Sequence, residues 1–195
     1  MKGAAETARL CFFIGGIEFE DNRIKREAWM ELKKAGHSPM GGLPTLEVDG
    51  KLVCQSKAIA RYAATLAGLY PKDPFEGMKV DEIIYSLDDI MDPIRPTFSI
   101  PDLDEKIKKR QELFAGELGT KLTNLNGLIS KNGGSYAAGD SLTLADISVC
   151  CLVDIMTSGF LDGVPPDAFD KYDKIKAVVD KVKAHEKYIE WNKKG

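Results

Sequence analysis

Thr45-Leu46-Glu47-Val48-Asp49-Gly50-Lys51-Leu52-Val53-Cys54-Gln55-Ser56-Lys57-Ala58-Ile59-Ala60-Arg61-Tyr62 changes its period partway along. The first half alternates on either side of Asp49-Gly50, a pair suited to the positive φ angles of a two-residue hairpin turn. Two short antiparallel strands are therefore expected at Thr45 to Val48 and Lys51 to Cys54. From Ser56 the apolar spacing becomes helical and continues through Ala67, with Ser56 expected as N-cap and Gly68 as the stop.

Upstream, Glu6 to Ile14 reads as a helix with Leu10, Cys11, Phe13 and Ile14 at core-facing positions, ended by Gly15-Gly16. A strand is expected at Ile17 to Ile24, carried by Ile17 and Phe19, and then a short helix at Arg26 to Lys34 with Trp29 and Leu32 on one side. Gly36-His37-Ser38-Pro39-Met40-Gly41-Gly42-Leu43-Pro44 cannot be regular. Helix, strand, helix, hairpin, helix is an α/β order.

Downstream, Leu69-Tyr70-Pro71-Lys72-Asp73-Pro74 is a proline-marked linker. Beyond it the pattern is helical, at Phe75 to Asp92, Asp104 to Lys131, Leu144 to Ser158 and Tyr172 to Ala184. The expected organisation is an α/β domain over 1–68, a linker over 69–74 and an all-α domain over 75–195. In Asp140-Ser141-Leu142-Thr143-Leu144-Ala145-Asp146-Ile147, Thr143 and Asp146 have the spacing of a capping box, and Leu142 can staple onto Ile147. The apolar helix that follows should be the buried centre of the second domain.

Composition excludes several function classes. The 195 residues carry 27 Lys+Arg against 30 Asp+Glu, a net charge of −3, which is not the basic footprint of a nucleic-acid binder. The late lysines (Lys171, Lys174, Lys176, Lys181, Lys183, Lys187) are interleaved with acids and read as a solvated face. No apolar run approaches the roughly 20 residues of a membrane span. Glu6 and Arg9 fall where a signal peptide would be apolar, so a cytoplasmic protein is expected. Cys11, Cys54, Cys150 and Cys151 form no Cys-x-x-Cys pair, and His37 and His185 are isolated, so neither a zinc site nor a dithiol redox motif can be written. Each cysteine is expected to be a small buried hydrophobe.

Four pieces then coincide in order: Gly42-Leu43-Pro44 before the hairpin, Glu47-Val48-Asp49-Gly50 in it, Gln55-Ser56-Lys57-Ala58-Ile59-Ala60-Arg61-Tyr62 after it, and Gly139-Asp140-Ser141-Leu142-Thr143-Leu144-Ala145-Asp146. With this set the chain resembles the cytosolic glutathione transferases, most nearly the sigma-type and related algal or protist members, over essentially its whole length. The resemblance implies a thioredoxin-like N-terminal domain that binds glutathione as co-substrate, and an all-helical domain that shapes a pocket for a small-molecule electrophile. It also implies a homodimer; the charge balance and the short apolar runs give it no nucleic-acid or membrane partner.

The resemblance assigns the glutathione site residue by residue. Gln55 and Ser56 would hold the γ-glutamyl carboxylate, Ser56 at a helix N-terminus whose amides and dipole favour an anion; a plain N-cap is the alternative and is compatible. Pro44 would be cis, turning the backbone of Leu43 outward to pair with the cysteinyl part like an added strand; the alternative is a trans proline that opens a strand. Trp29 and Lys33, four apart on one helical face, would hold the glycine carboxylate, against a core Trp with a solvated Lys. Asp89 would reach across the dimer to the γ-glutamyl ammonium, while Asp88 reads as a solvated acid. Some sigma-type members bind a divalent cation through three carboxylates of this helix; Tyr85 stands at the first position, so no metal is expected.

Two departures bear on activity. The family's first strand and catalytic Tyr would fall ahead of Met1, and no hydroxyl in the sequence takes that role. Ala4 occupies a position where many sigma-type members carry an Arg. The expected function is transfer of the glutathione thiol to an electrophile; a non-catalytic binding or structural protein on the same scaffold is the alternative.

Overall fold

Asp49 and Gly50 adopt φ angles of 50° and 74°, so both turn residues lie in the left-handed region that a tight hairpin requires. Strands β1 (Thr45–Val48) and β2 (Lys51–Cys54) accordingly pair antiparallel, with Thr45 opposite Cys54 and Val48 opposite Lys51. The computed structural model describes residues 3–194. A 3-10 turn at Gly3–Ala5 opens into α1 (Glu6–Ile14), and α2 (Arg26–Lys34) precedes the hairpin. α3 (Ser56–Leu66) follows it, and then the helical part, α4 (Pro74–Met91), α5 (Leu103–Ala115), α6 (Glu117–Asn132), α7 (Leu144–Thr157), α8 (Asp173–Ala184) and α9 (Glu186–Lys194). A small α/β part followed by a helical part is the expected fold class. No helix among the described residues is long and apolar enough to cross a membrane.

Several local expectations are corrected. Ile17 to Ile24 forms no strand, because among the described residues no second strand lies beside it to pair with. Side chains hold the segment instead: Phe19 packs on Phe12 at 5.3 Å between ring centroids, and Asp21 accepts from Arg9 and Arg23 at 2.7 Å each. Ser56 is not the N-cap of α3. The chain leaves β2 through Gln55 at φ 81°, so Gln55 is the cap residue and Ser56 already lies inside the first turn. The helix expected over Asp104 to Lys131 is two helices broken at Gly116, whose ψ of −104° is not helical. The break brings the backbones close, since a Cβ on Gly119 would meet the Phe114 carbonyl oxygen at 2.7 Å. The helix of Tyr172 to Ala184 ends at an extended His185 (ψ 129°), and α9 restarts immediately after it.

The core is one continuous cluster spanning both parts. Its centre is α7, where Leu144, Ala145, Ile147, Val149, Cys150 and Met156 are sealed from solvent. The capping box forms as the spacing predicts. Asp146 Oδ2 accepts from the Thr143 amide and hydroxyl, each at 2.8 Å, and Oδ1 accepts from the Ala137 amide at 2.7 Å. One residue on, the Leu144 amide donates to the Leu69 carbonyl at 2.9 Å, which ties the start of α7 to the end of the α/β part.

Burial raises the Asp146 carboxyl above its ordinary 3.8, and the hydrogen bonds to Ala137 and Thr143 offset this only in part. The protonated form thus contributes stability that is present below 3.8 and is lost as pH rises through the higher folded value. Replacement by Ala orphans the Ala137 and Thr143 donors and should cost about 2–4 kcal/mol in urea unfolding. The advantage of the wild type over Asp146→Asn should grow as pH is lowered from neutrality towards 3.8.

Candidate functional site

Two clefts meet at the start of α1, and Ala4 borders both. The first, of about 850 Å³, lies between α1 and the start of α3 on one side and α4, α7 and the α8–α9 end on the other. Its walls are mostly apolar, with Leu10, Ala60, Leu87, Met91, Leu152 and Phe160 among them. The second, of about 920 Å³, lies between α1, the 17–24 segment, α2 and the hairpin. Trp29, His37, Leu43 and Pro44 face it.

The expected site residues divide between these spaces. Trp29 is half-buried, and with exposed Leu43 and half-buried Pro44 it lines the second cleft. The Leu43–Pro44 peptide is cis, as the resemblance implies. Lys33 is exposed near the end of α2, and a Cβ at Gly41 would lie 3.7 Å from its Cε. Gln55 is exposed at the turn into α3, and Ser56, half-buried, lines the first cleft. Asp89 is exposed on α4 and borders neither cleft.

Sequence reasoning missed several residues. Asp88, read as a solvated acid, is half-buried on the first cleft. There it pairs with Lys57, which also donates to the Ile84 carbonyl at 2.8 Å and sits 4.7 Å from the centroid of the Tyr85 ring. Across the cleft, Asp154 of α7 takes the Tyr188 hydroxyl on one oxygen at 2.5 Å and the Lys183 ammonium on the other at 2.8 Å. No sequence spacing signals this group, because α7, α8 and α9 meet only in the folded chain. Of the cysteines, Cys11 and Cys150 are buried as expected, and burial pushes the Cys11 thiol up to about 12. Cys54 and Cys151 are only half-buried; Cys151 packs against the core at the edge of the first cleft, and burial raises its thiol too, which leaves it a poor nucleophile.

Glu6, on the first turn of α1, is almost fully buried at the edge of the first cleft. One carboxylate oxygen accepts from Trp191 Nε1 of α9 at 2.7 Å, and the other from Arg9 at 3.4 Å. Trp191 also packs on Phe13 and Phe19, with centroids 5.2 and 6.1 Å away. The last helix is thereby fastened to the first.

Comparison with known proteins agrees with this fold. The family description "Glutathione S-transferase, N-terminal domain" matches residues 1–65, and "Glutathione S-transferase, C-terminal domain" matches residues 88–195. The chain is 34% identical to "Glutathione S-transferase 1" of Ascaris suum, over 98% of this chain and 91% of that protein. It is also 34% identical to "Glutathione S-transferase S1" of Drosophila melanogaster, over 100% of this chain and 75% of that protein. A solved structure of prostaglandin synthase D of Nilaparvata lugens superposes with a TM-score of 0.87 at 35% identity, covering 100% of this chain and 94% of the other.

A small α/β part joined to a helical part is the architecture of this class, and the chain belongs to the glutathione S-transferase family. It is a glutathione transferase, an enzyme that uses glutathione as co-substrate.

Trp191→Phe keeps the ring packing but removes the donor to buried Glu6, which should lower stability by about 1–3 kcal/mol in thermal unfolding. Adding Glu6→Gln to that variant should restore part of the loss, because the oxygen left without its indole donor costs less to bury on an amide than on a carboxylate.

Proposed function

We propose that the two clefts divide the reaction, with glutathione lying along the second cleft to Ser56 and the electrophile occupying the first. The observation that carries this reading is that the start of α1 borders both clefts, so a thiol reaching that point meets an apolar acceptor space. Gln55 and Ser56 hold the γ-glutamyl carboxylate, Leu43 pairs with the cysteinyl backbone, and Trp29 and Lys33 take the glycine carboxylate. The thiol loses its proton, and the thiolate sulfur forms a carbon–sulfur bond to the acceptor. In an addition the acceptor carbanion takes up a proton; in a substitution the leaving group departs with the electron pair.

The enzyme is of the sigma type and acts as a homodimer in the cytoplasm, where Asp89 of one subunit meets the γ-glutamyl ammonium bound by the other. Supporting a dimer, Phe75, Met78 and Tyr85 of α4 are large apolar side chains left exposed. The family's first strand, with its thiol-activating Tyr, belongs in the second cleft beside β1. In support of this, α2 buries none of its residues although Trp29 and Leu32 face that cleft. A strand laid there would cover Leu32 and pair with the neighbouring backbone, with the Trp29 end of the cleft left to glutathione.

Calorimetric titration with glutathione tests this reading. Binding is expected, and Trp29→Ala and Gln55→Ala should each weaken it about tenfold or more, the usual worth of a hydrogen bond to a charged group. A chain extended upstream with a Tyr-bearing strand should show the ultraviolet band of bound thiolate and conjugate a halodinitrobenzene. No binding by either folded chain would overturn the reading.

A further inference from the structure

We infer that Arg110 is a positioning residue for the first cleft: standing outside it, Arg110 holds Phe160 as the wall that meets the far end of a long substituent on the glutathione sulfur. The inference rests on the reading above, that the sulfur lies at the α1 corner and the electrophile in the first cleft, and adds the residue that fixes the outer end of that cleft.

At the α1 corner, Thr7 is a hydrogen-bond neighbour of Cys151, and both line the cleft. Thr157 ends α7 six residues further on, about 9 Å along the helix, and Phe160 lines the cleft from the loop beyond it. Two glycines in the left-handed region bound that loop, Gly159 at φ 83° and Gly163 at φ 82°. Between them Leu161 is sealed in the core, while Phe160 stays half exposed on the cleft.

Arg110 of α5 does not line the cleft and is only 2% exposed. Its guanidinium joins two segments. Nε donates to the hydroxyl of Thr97, in the 3-10 turn Arg95–Ser99, at 2.9 Å, and Nη1 donates to the Asp162 carbonyl at 3.1 Å and carboxylate at 3.4 Å. Thr97 gives its own proton to the Ile94 carbonyl at 2.7 Å, which fixes the lone pair it turns to Arg110. The guanidinium carbon lies 5.2 Å from the centroid of the Phe98 ring, and Phe98 in turn meets Phe160 at 5.8 Å between centroids. One turn earlier on α5, Ile107 closes the loop from its other end, since a Cβ on Gly163 would meet Ile107 Cγ2 at 2.9 Å.

One buried cation therefore holds Phe160 twice, through the Asp162 backbone and through the Phe98 ring it leans on. A guanidinium is costly to bury, and the carboxylate it pairs with is itself half exposed. What the group secures is geometry: its rigid fork holds Thr97 and Asp162 in fixed directions at once, which the single ammonium of a lysine cannot do. Phe98 and Phe160 both remain about half exposed, so the pair has apolar surface to give to a ligand that reaches it.

The test uses S-methylglutathione and S-octylglutathione, whose binding needs no thiol chemistry, titrated calorimetrically into the protein. The octyl compound should bind about tenfold more tightly or better, through apolar contact along the cleft. Arg110→Gln should weaken the octyl compound about fivefold, the worth of an aromatic contact, and leave the methyl compound unchanged. Arg110→Lys, which keeps the charge but loses the fork, should do the same, and circular dichroism checks that each variant is folded. In a Phe160→Ala background neither substitution should weaken the octyl compound further, whereas a merely structural role would weaken it equally with and without Phe160. An octyl advantage that survives in the folded variants, an equal loss for both compounds, a loss independent of Phe160, or failure of both variants to fold would each overturn the inference and leave the reading of the cleft standing. An octyl compound that binds no better than the methyl one would instead sink the assignment of the first cleft to the electrophile, and the inference with it. Binding of neither compound would sink the glutathione reading in the same way.

Discussion

The carboxylate of Asp146 is the contact on which the arrangement depends. It is fully buried and accepts three hydrogen bonds, from the Ala137 amide and from the amide and hydroxyl of Thr143. Those bonds fix the entry into α7, and the adjacent Leu144 amide carries the constraint to Leu69 at the end of the α/β part. From that anchored start α7 runs through the centre of the core and supplies the back wall of the first cleft. Burying a carboxylate is costly unless its lone pairs are satisfied, and here the satisfied group sets both the position of the central helix and the seating of one part on the other.

α1 does the complementary work from the other side. It packs on α3 and on α7, and its first turn forms the corner where the two clefts join. Glu6 brings a buried charge to that corner, and Trp191 answers it from the last helix of the chain. The indole stacks into the Phe13 and Phe19 group, so apolar packing and a charge-assisted hydrogen bond fasten the same residue. The 17–24 segment is held to this group through Phe19 and through Asp21, without a strand partner among the described residues.

The two clefts differ in chemistry. The hairpin side mixes Trp29, Leu43 and Pro44 with charged groups of the 17–24 segment. The α7 side is mostly hydrocarbon, with Asp154 paired to Lys183 and Tyr188. Pairing within the protein lets Asp88, Asp154 and their lysines line an apolar space without leaving any of them bare.

Much of this was legible in the sequence, where local chemistry acts within a few residues. Asp49-Gly50 determines the hairpin because few pairs accept two positive φ angles, and Thr143 with Asp146 determines the start of α7 because their spacing closes a capping box. The apolar periods determine α1, α2, α4 and α7, and the ordered motifs determine the family. What depends on distant partners was decided only in the tertiary structure. Ile17 to Ile24 has the alternation of a strand, but a strand exists only where another lies beside it. Gly116 breaks a continuous helical pattern because a glycine costs a helix only about 1 kcal/mol and packing settles the rest. Asp88 and Asp89 are adjacent and chemically alike, yet helix geometry turns the first towards Lys57 and the cleft and the second to solvent. Glu6 meets Trp191 across nearly the whole chain, and Asp154 meets Lys183 and Tyr188 across three helices. No local pattern encodes these pairs, because closure of the fold brings their partners together.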